Sequence, residues 1–408
     1  MSEKSAPASL IWALGVTQII GYGTLYYSFS ILAPGMARDF AIPIDWLFGL
    51  LSLSLLFGGL IAPKAGGWVD RFGAGRLMVP GSLAAGLALV AAALSPNALF
   101  FGVSLVAMEV ASAFVLYGTA FAAIVQIGGR SAQRSITHLT LIAGFASTLF
   151  WPLTGALSGH LDWRTIYLAF AALNILVCMP IHYWIGRFPH SDPSPATATG
   201  QSSSAVEQDR DGSQNGLFVL MLCAFAIEGL VLASILTHMV PMVTALGLGT
   251  AGLVISTLFG PSQVASRLLN MLFGGRLSQT TLAVISAGLL TSGLGVLLVT
   301  APWVPGVVVF AILFGLGSGL ASIVGGTLPL ELFGRTGYGV RLGWVSAARQ
   351  FSSAVAPFAF AFMMKAWGIS DAIGLGVAAG AVAILFFGSI ALLRNRRSTI
   401  TAEPVPGA

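Results

Sequence analysis

Long apolar runs, each closed by glycine, proline or a charge, follow one another along almost the whole chain. A bilayer core about 30 Å thick needs about 20 apolar residues per helical crossing. Windows of that length predict spans near 11–33, 46–63, 77–95, 98–124, 136–158 and 164–185. A second set of six lies near 217–240, 251–273, 281–300, 303–328, 343–365 and 371–393. The pattern predicts an all-α polytopic membrane protein with twelve transmembrane helices in two six-helix halves. Between the sets runs a polar stretch, residues 186–216, containing "HSDPSPATATGQSSSAVEQDRDG". Its Ser, Pro, Thr and Asp bury too little apolar surface to fold alone, so it reads as a linker. The expected division is an N-terminal half over residues 1–185, a cytoplasmic linker over 186–216, a C-terminal half over 217–393 and a cytoplasmic tail over 394–408.

Composition strengthens this picture. Of 408 residues 56% are hydrophobic and 8% charged, with mean hydropathy +0.89, whereas a soluble domain carries about 25% charged residues. Little is left over for a soluble domain. Residues Met1–Ser9 carry only Glu3 and Lys4 and lead into an apolar span without a clear small-residue cleavage site, so the first helix is expected to stay. Both cysteines, Cys178 and Cys223, fall inside spans, where a thiol behaves as a small hydrophobe. The net charge of +5 comes from basic residues scattered one or two per loop. That pattern argues against a nucleic-acid partner and for membrane orientation. An inside N-terminus puts 14 Lys and Arg on the cytoplasmic side and only Arg38, Arg164 and Lys365, 3 in all, outside. The expectation is a multi-pass protein of the plasma (inner) membrane with both termini in the cytoplasm.

Two loops carry related sequences. Gly66 to Asp70, after span 2, align with Gly275 to Gln279, after span 8, at an offset of 209 residues. Two homologous halves that face each other, with a site at midplane between them, are one way to build a carrier that alternates access.

The first of those loops, "GGWVDRFGAG", carries a resemblance. Gly66, Asp70, Arg71, Gly73 and Arg76 match the loop motif G-x-L-a-D-R-x-G-R-R of the major facilitator superfamily, with Trp68 in place of Leu. "GHLDWRTIYL", with Trp163 and Arg164 opening span 6, and "ELFGRTGYG", residues 331–339, are further matches. The chain resembles a transporter of that superfamily over residues 10–394, essentially its whole length. The resemblance implies a secondary transporter, not an enzyme, without cofactor or metal. It implies that the first and fourth helices of each half line a central cavity and that the third and sixth face lipid. It also implies a cytoplasmic gate, in which Asp70 pairs with cations on a neighbouring helix end while Gly66 and Gly73 permit tight turning and close approach. The plainer reading leaves Arg71 and Arg76 as topology signals.

Charge within the spans fits a polar centre. Only Glu109, Glu228, Arg267 and Arg349 are charged inside the hydrocarbon region, on spans 4, 7, 8 and 11. Each costs about 2.5 to 3.5 kcal/mol on insertion scales and therefore faces protein or water. Glu109 and Glu228 sit about 16 Å deep, at ~1.5 Å per residue. Both are candidate proton carriers, or else salt-bridged acids that tighten packing. Arg267 and Arg349 lie ~10 Å from the inner end of their helices. Two guanidiniums facing one cavity would bind an anion, because their planar forks match carboxylates and oxyanions. The alternative pairs them internally with Glu228 and Glu109.

This placement resembles the monocarboxylate carriers and oxalate/formate exchangers, which put a cation on span 8 and, in the exchangers, another on span 11. Gln263 stands where the monocarboxylate carriers have an Asp, and Glu228 is the residue that could replace it. Span 1, "GYGTLYYSFSILAPG", offers Tyr22, Tyr26 and Tyr27 either as hydroxyls for solute or as an interfacial belt. Tyr117, on the helix of Glu109, is a further candidate. Span 5 carries a glycine and proline pattern like that of exchangers, with Trp151 replacing one Gly, which favours outward transport.

The expected activity is transport of a small anion or weak acid by alternating access, coupled to protons and directed outward, by a monomer in the lipid bilayer. The sequence also resembles arsenite-efflux carriers, although Cys178 and Cys223 fall on different halves, and capture by thiolates needs them to converge. A multidrug exporter predicts midplane acids without cavity cations, and a non-transporting membrane sensor predicts a signalling domain, which the chain does not show.

Overall fold

A computed structural model describes residues 6–189, 204–248, 257–274 and 277–400. Among them are twelve helical spans and no strand. The first half contains α1 (Ala8–Asp39), α2 (Ile44–Phe72), α3 (Ala74–Ala93), α4 (Ala98–Gly128), α5 (Ala132–Ser158) and α6 (Trp163–Ile185). The second contains α7 (Ser204–Ala245), α8 (Phe259–Phe273), α9 (Gln279–Thr300), α10 (Val304–Phe333), α11 (Tyr338–Ala366) and α12 (Ile369–Ile400). Ten of these carry a stretch long and apolar enough to cross a membrane. The others are α8, preceded by residues 249–256 outside the described set, and α11, which carries Arg341, Arg349 and Lys365.

Side-chain caps set several helix starts: Asn97 accepts from the Phe100 N–H at 2.9 Å, Asp162 from Thr165 at 2.7 Å and Ser278 from Thr281 at 3.1 Å. Four spans are interrupted. One π-helical turn, Gly23–Tyr27, lies inside α1 and another, Asn174–Cys178, inside α6. A buried Asn174 joins the two by donating to Thr24 Oγ1 at 2.9 Å. Leu116 breaks α4, and Gly144 with Phe145 breaks α5.

Several predicted boundaries shift. The motif after span 2 is not a loop: α2 runs through Gly66, Asp70 and Arg71 and stops only at Gly73, whose φ of 90° suits glycine. Tertiary packing overrides the low helix propensity of the Gly pair here, because α11 lies directly against it. Helix α7 begins at Ser204, within the predicted linker, and α12 continues to Ile400, within the predicted tail; residues 190–203 and 401–408 lie outside the described residues. The repeat register also moves. Gln279 is the first residue of α9, as Ala74 is of α3, and each N–H is held by a side chain from the fourth helix of its half: Ala74 by Gln126 and Gln279 by Glu331. Positions 74 and 279, like 126 and 331, are 205 residues apart, one helical turn short of the sequence alignment. Gly275 and Arg276 lie outside the described residues.

The seam between the halves is concentrated at one face, the one that carries the start of α1 and the end of α12, called here the terminal face. There a single hydrophobic cluster mixes Leu10, Met78 and Ile136 with Leu330, Tyr338 and Leu342 of the second half. The other clusters keep within one half each. The remote segments of α1 (Ser28–Asp39) and α5 (Ala146–Ser158) make extended contacts only with their own half. Among the described residues the halves therefore meet chiefly at the terminal face, and these segments at the opposite face stay with their own half.

Candidate functional site

Helices α2 and α11 form the main seam, and small residues allow it. Ala62 and Gly66 on α2 face Gly339 and Gly343 on α11, each pair four residues apart, so the two backbones touch. A Cβ on Gly66 would fall 2.6 Å from the Gly339 carbonyl carbon. At the end of the seam Asp70 accepts the Gly339 N–H at 2.8 Å and the Val340 N–H at 2.9 Å. Those are orphan donors in the first turn of α11, and a carboxylate there also meets the positive end of the helix dipole. The hydrogen-bond partners of Asp70 are thus backbone N–H groups, and the cation at that helix end, Arg341, lies within Coulombic range of it while its guanidinium donates to the Phe333 and Thr336 carbonyls. Arg71 is exposed, with its guanidinium 5.2 Å from the Phe72 ring centre, and Arg76 is exposed as well. A second clasp joins the halves at this face, where Arg335 donates to the Val125 carbonyl at 2.6 Å.

Above the seam lies a central cavity of about 360 Å³. Its walls come from α1, α2, α4, α10 and α11, and no residue of α3, α6, α9 or α12 lines it. The third and sixth helices of each half therefore stay outside, as expected. No described residue of α7 is in the lining; α11 packs against α7 there, a Cβ on Gly229 standing 3.4 Å from Arg349 Cα.

Arg349 projects into the cavity, with its guanidinium 5.6 Å from the Phe225 ring centre. Behind it Glu228, 2% exposed, places Oε2 3.8 Å from Nη2. The other carboxyl oxygen of Glu228 is 3.0 Å from Ser286 Oγ, which is also 3.0 Å from the Gly317 carbonyl. Glu228 Oε2 has no hydrogen-bond partner. Glu109 lines the cavity from α4 and forms no ion pair among the described residues. Tyr22, Tyr26 and Tyr117 line it too, with Tyr22 and Tyr117 ring centres 4.7 Å apart. Tyr27 stands outside the lining, edge-on to Tyr26 and Trp151.

Arg267 occupies a different place. It is 6% exposed, is absent from the lining, donates from Nε to Ser322 Oγ at 3.1 Å, and reaches across the halves to the Thr140 carbonyl at 3.2 Å. That carbonyl belongs to the last turn before the break in α5; it also accepts the Gly144 N–H at 3.0 Å, and its second lone pair and the negative end of the helix dipole favour a cation. Gly144 leaves the room the guanidinium fills. Gln263, one turn before it, donates to Ser318 Oγ at 2.7 Å and also stays out of the lining.

Residues missed from the sequence include Gln350, Ser346 and Ser353 on α11 and Ser112 on α4. The signal for the first three was present: Ser346, Arg349, Gln350 and Ser353 follow the i, i+3, i+4, i+7 spacing of one helical face in an otherwise apolar span.

A family model described as the Major Facilitator Superfamily matches residues 14–283, well over half of the chain. The chain belongs to the major facilitator superfamily. It is a multi-pass integral membrane transporter and not an enzyme. Among solved structures, the human organic anion transporter MFSD10 (TETRAN) is similar with a TM-score of 0.72 at 12% identity, over 94% of this chain and 100% of that one. The proton:xylose symporter XylE, bound to 6-bromo-6-deoxy-D-glucose, gives 0.69 at 13% identity, over 94% and 96%. FucP in the outward conformation gives 0.67 at 14% identity, over 93% and 98%. At such identities the likeness shows the fold alone. No curated protein matches the chain.

Proposed function

We propose that this superfamily transporter moves a small anion or weak acid together with a proton, exporting it when the acid accumulates inside. The terminal face is taken as cytoplasmic on the distribution of Lys and Arg, and the conformation described is then open to the outside. One observation carries the reading: Arg349 faces the cavity while Glu228 lies 3.8 Å behind it, too far for a hydrogen bond and close enough for charge to matter. A carboxylate on Glu228 holds the guanidinium; a proton on Glu228 removes that attraction and leaves the fork of Arg349 for an anion in the cavity. Anion and proton then load together. Arg267 supports the cycle from the seam and not from the cargo site. Cargo capture by thiolates has no support in the geometry, since Cys178 is buried in α6 and Cys223 is exposed on α7 of the other half. A metalloid oxyacid would have to be held by Arg349 and the hydroxyls around it. A carrier for lipophilic cations would not place a guanidinium in the cavity.

The test is flux into proteoliposomes with an imposed pH gradient and a trapped pH dye, offering short carboxylates, arsenite and a quaternary ammonium ion. Carboxylate entry accompanied by acidification of the lumen is expected. Entry of the ammonium ion with no acid transported would overturn the reading, and arsenite as the sole cargo would narrow it to metalloids.

A further inference from the structure

The acid on the other wall of the cavity has no role in that cycle. Glu109 is 8% exposed and faces the same cavity as Arg349, yet no cation stands beside it among the described residues. Its one side-chain donor is Ser112 Oγ at 3.4 Å from Oε2, and that hydroxyl has a shorter bond, 2.7 Å, to the Glu109 carbonyl. A single hydroxyl hydrogen serves the shorter contact, so the carboxyl is left without a donor. Gln350, the residue after Arg349, comes close to this acid. A Cβ built on Gly58 would lie 3.2 Å from Gln350 Nε2 and 3.4 Å from Glu109 Cβ, so the missing side chain at position 58 lets the two share one corner. Gln350 Oε1 is buried there with no hydrogen-bond partner. Gln350 thus brings an unpaired carbonyl oxygen to the corner that the Glu109 side chain also enters, while Arg349, the one cation among the described lining residues, extends from the neighbouring position on α11. Tyr26, half-exposed and within Coulombic range of Glu109, adds an aromatic face of the kind that attracts ammonium groups.

We infer that the cargo is amphoteric: a small acid that also carries an ammonium group, its carboxylate on Arg349 and its ammonium on Glu109 and Gln350 Oε1. The inference rests on the reading of Arg349 as the anion ligand. A buried acceptor pair recognises a substrate by the donors it brings, and an analogue lacking those donors leaves both acceptors desolvated and unpaired. The site would then prefer an amino acid over the matching plain acid by what the ammonium contacts add.

Equilibrium binding to the purified full chain in nanodiscs tests this with butyrate, butylamine and 4-aminobutyrate, and with glycine and 6-aminohexanoate to vary the distance between charges. At least one amino acid should bind about tenfold more tightly than butyrate, since charge-assisted hydrogen bonds are worth about that much or more. Glu109→Gln should collapse the ratio of amino-acid to plain-acid affinity towards one, and Gln350→Leu should reduce it in part, which provides a reading even where the first variant does not fold. Butyrate binding as tightly as every amino acid, or a ratio untouched by both variants, would overturn the inference. Arg349→Gln separates the two readings. Should it abolish butyrate binding while the wild type shows no preference for amino acids, the anion site stands and the ammonium site falls. Should butyrate binding survive it, the anion site falls, while a preference for butylamine lost in Glu109→Gln would keep the ammonium site.

Discussion

Replacing Gly66 by alanine adds one methyl group at the tightest point between the halves. That carbon would come 2.6 Å from the Gly339 carbonyl carbon and 3.0 Å from the Val340 nitrogen, whereas ordinary contact begins at 3.4 Å. Both neighbours are backbone, so no side chain can rotate away and α2 and α11 must part by roughly 1 Å, a strain of the overpacking kind that costs about 1 to 3 kcal/mol. Separation also stretches the two bonds from Asp70 to the first turn of α11. The seam exists only while the terminal face is closed, so the cost falls on that state and shifts the balance between states by about 5- to 150-fold. Gly67→Ala is the control, because its Cβ would meet only Val340 Cγ2 at 3.6 Å. A reporter cysteine at the cavity-lining Ser346, in a Cys223→Ala background, can be labelled with a membrane-impermeant maleimide from either side of oriented vesicles. Gly66→Ala should raise labelling from the terminal face and lower it from the opposite face, with Gly67→Ala like wild type. Equal labelling in the two variants would refute the seam as the element that holds the terminal face shut.

Asp70→Asn should shift the same labelling in the same direction, since the two N–H groups bind separate carboxylate oxygens and the amide replaces one of those oxygens with a donor; a loss of about 1 to 3 kcal/mol is expected. Arg164→Gln should lower the thermal midpoint of the detergent-solubilised protein by several degrees without changing its labelling. It removes bonds to the Ala93 and Ser95 carbonyls at 2.7 and 2.8 Å and the ring contact with Trp163, all at the face remote from the seam. The Asp162 carboxyl, outside the spans, is held below its ordinary acidity range mainly by the Thr165 N–H, with which it caps α6. Its contribution is therefore present above the ordinary carboxylate range and lost as pH falls through the lowered value. Asp162→Asn, which keeps the cap without the charge, should flatten that part of the stability profile in acid titration.

Hydropathy alone located the spans, because every crossing must satisfy its backbone internally and show apolar side chains to lipid. It was weakest where tertiary contact decides. The Gly66–Gly67 pair reads as a helix break in isolation, yet α11 packs against it and the helix continues. Glu109, Glu228, Arg267 and Arg349 were all visible as charges in apolar runs, but their orientation was not. Arg349 faces the cavity and Arg267 turns into the seam, because the break in α5 offers it a carbonyl and Gly144 offers it room. The partner of Asp70 was hidden for a related reason, since backbone N–H groups carry no residue-specific signature. Gln350 escaped notice because its significance depends on Gly58 and Glu109, which come from two other helices.

Calorimetric titration of a transported acid onto Glu228→Gln and wild type, between pH 5 and pH 8 in two buffers of different ionisation enthalpy, tests the coupling of Glu228 to Arg349 most directly. The wild type should take up about one proton per anion and bind more tightly as pH falls. Glu228→Gln should bind at every pH with no proton uptake. A variant that loses binding altogether, or one that keeps the proton uptake of the wild type, would contradict it.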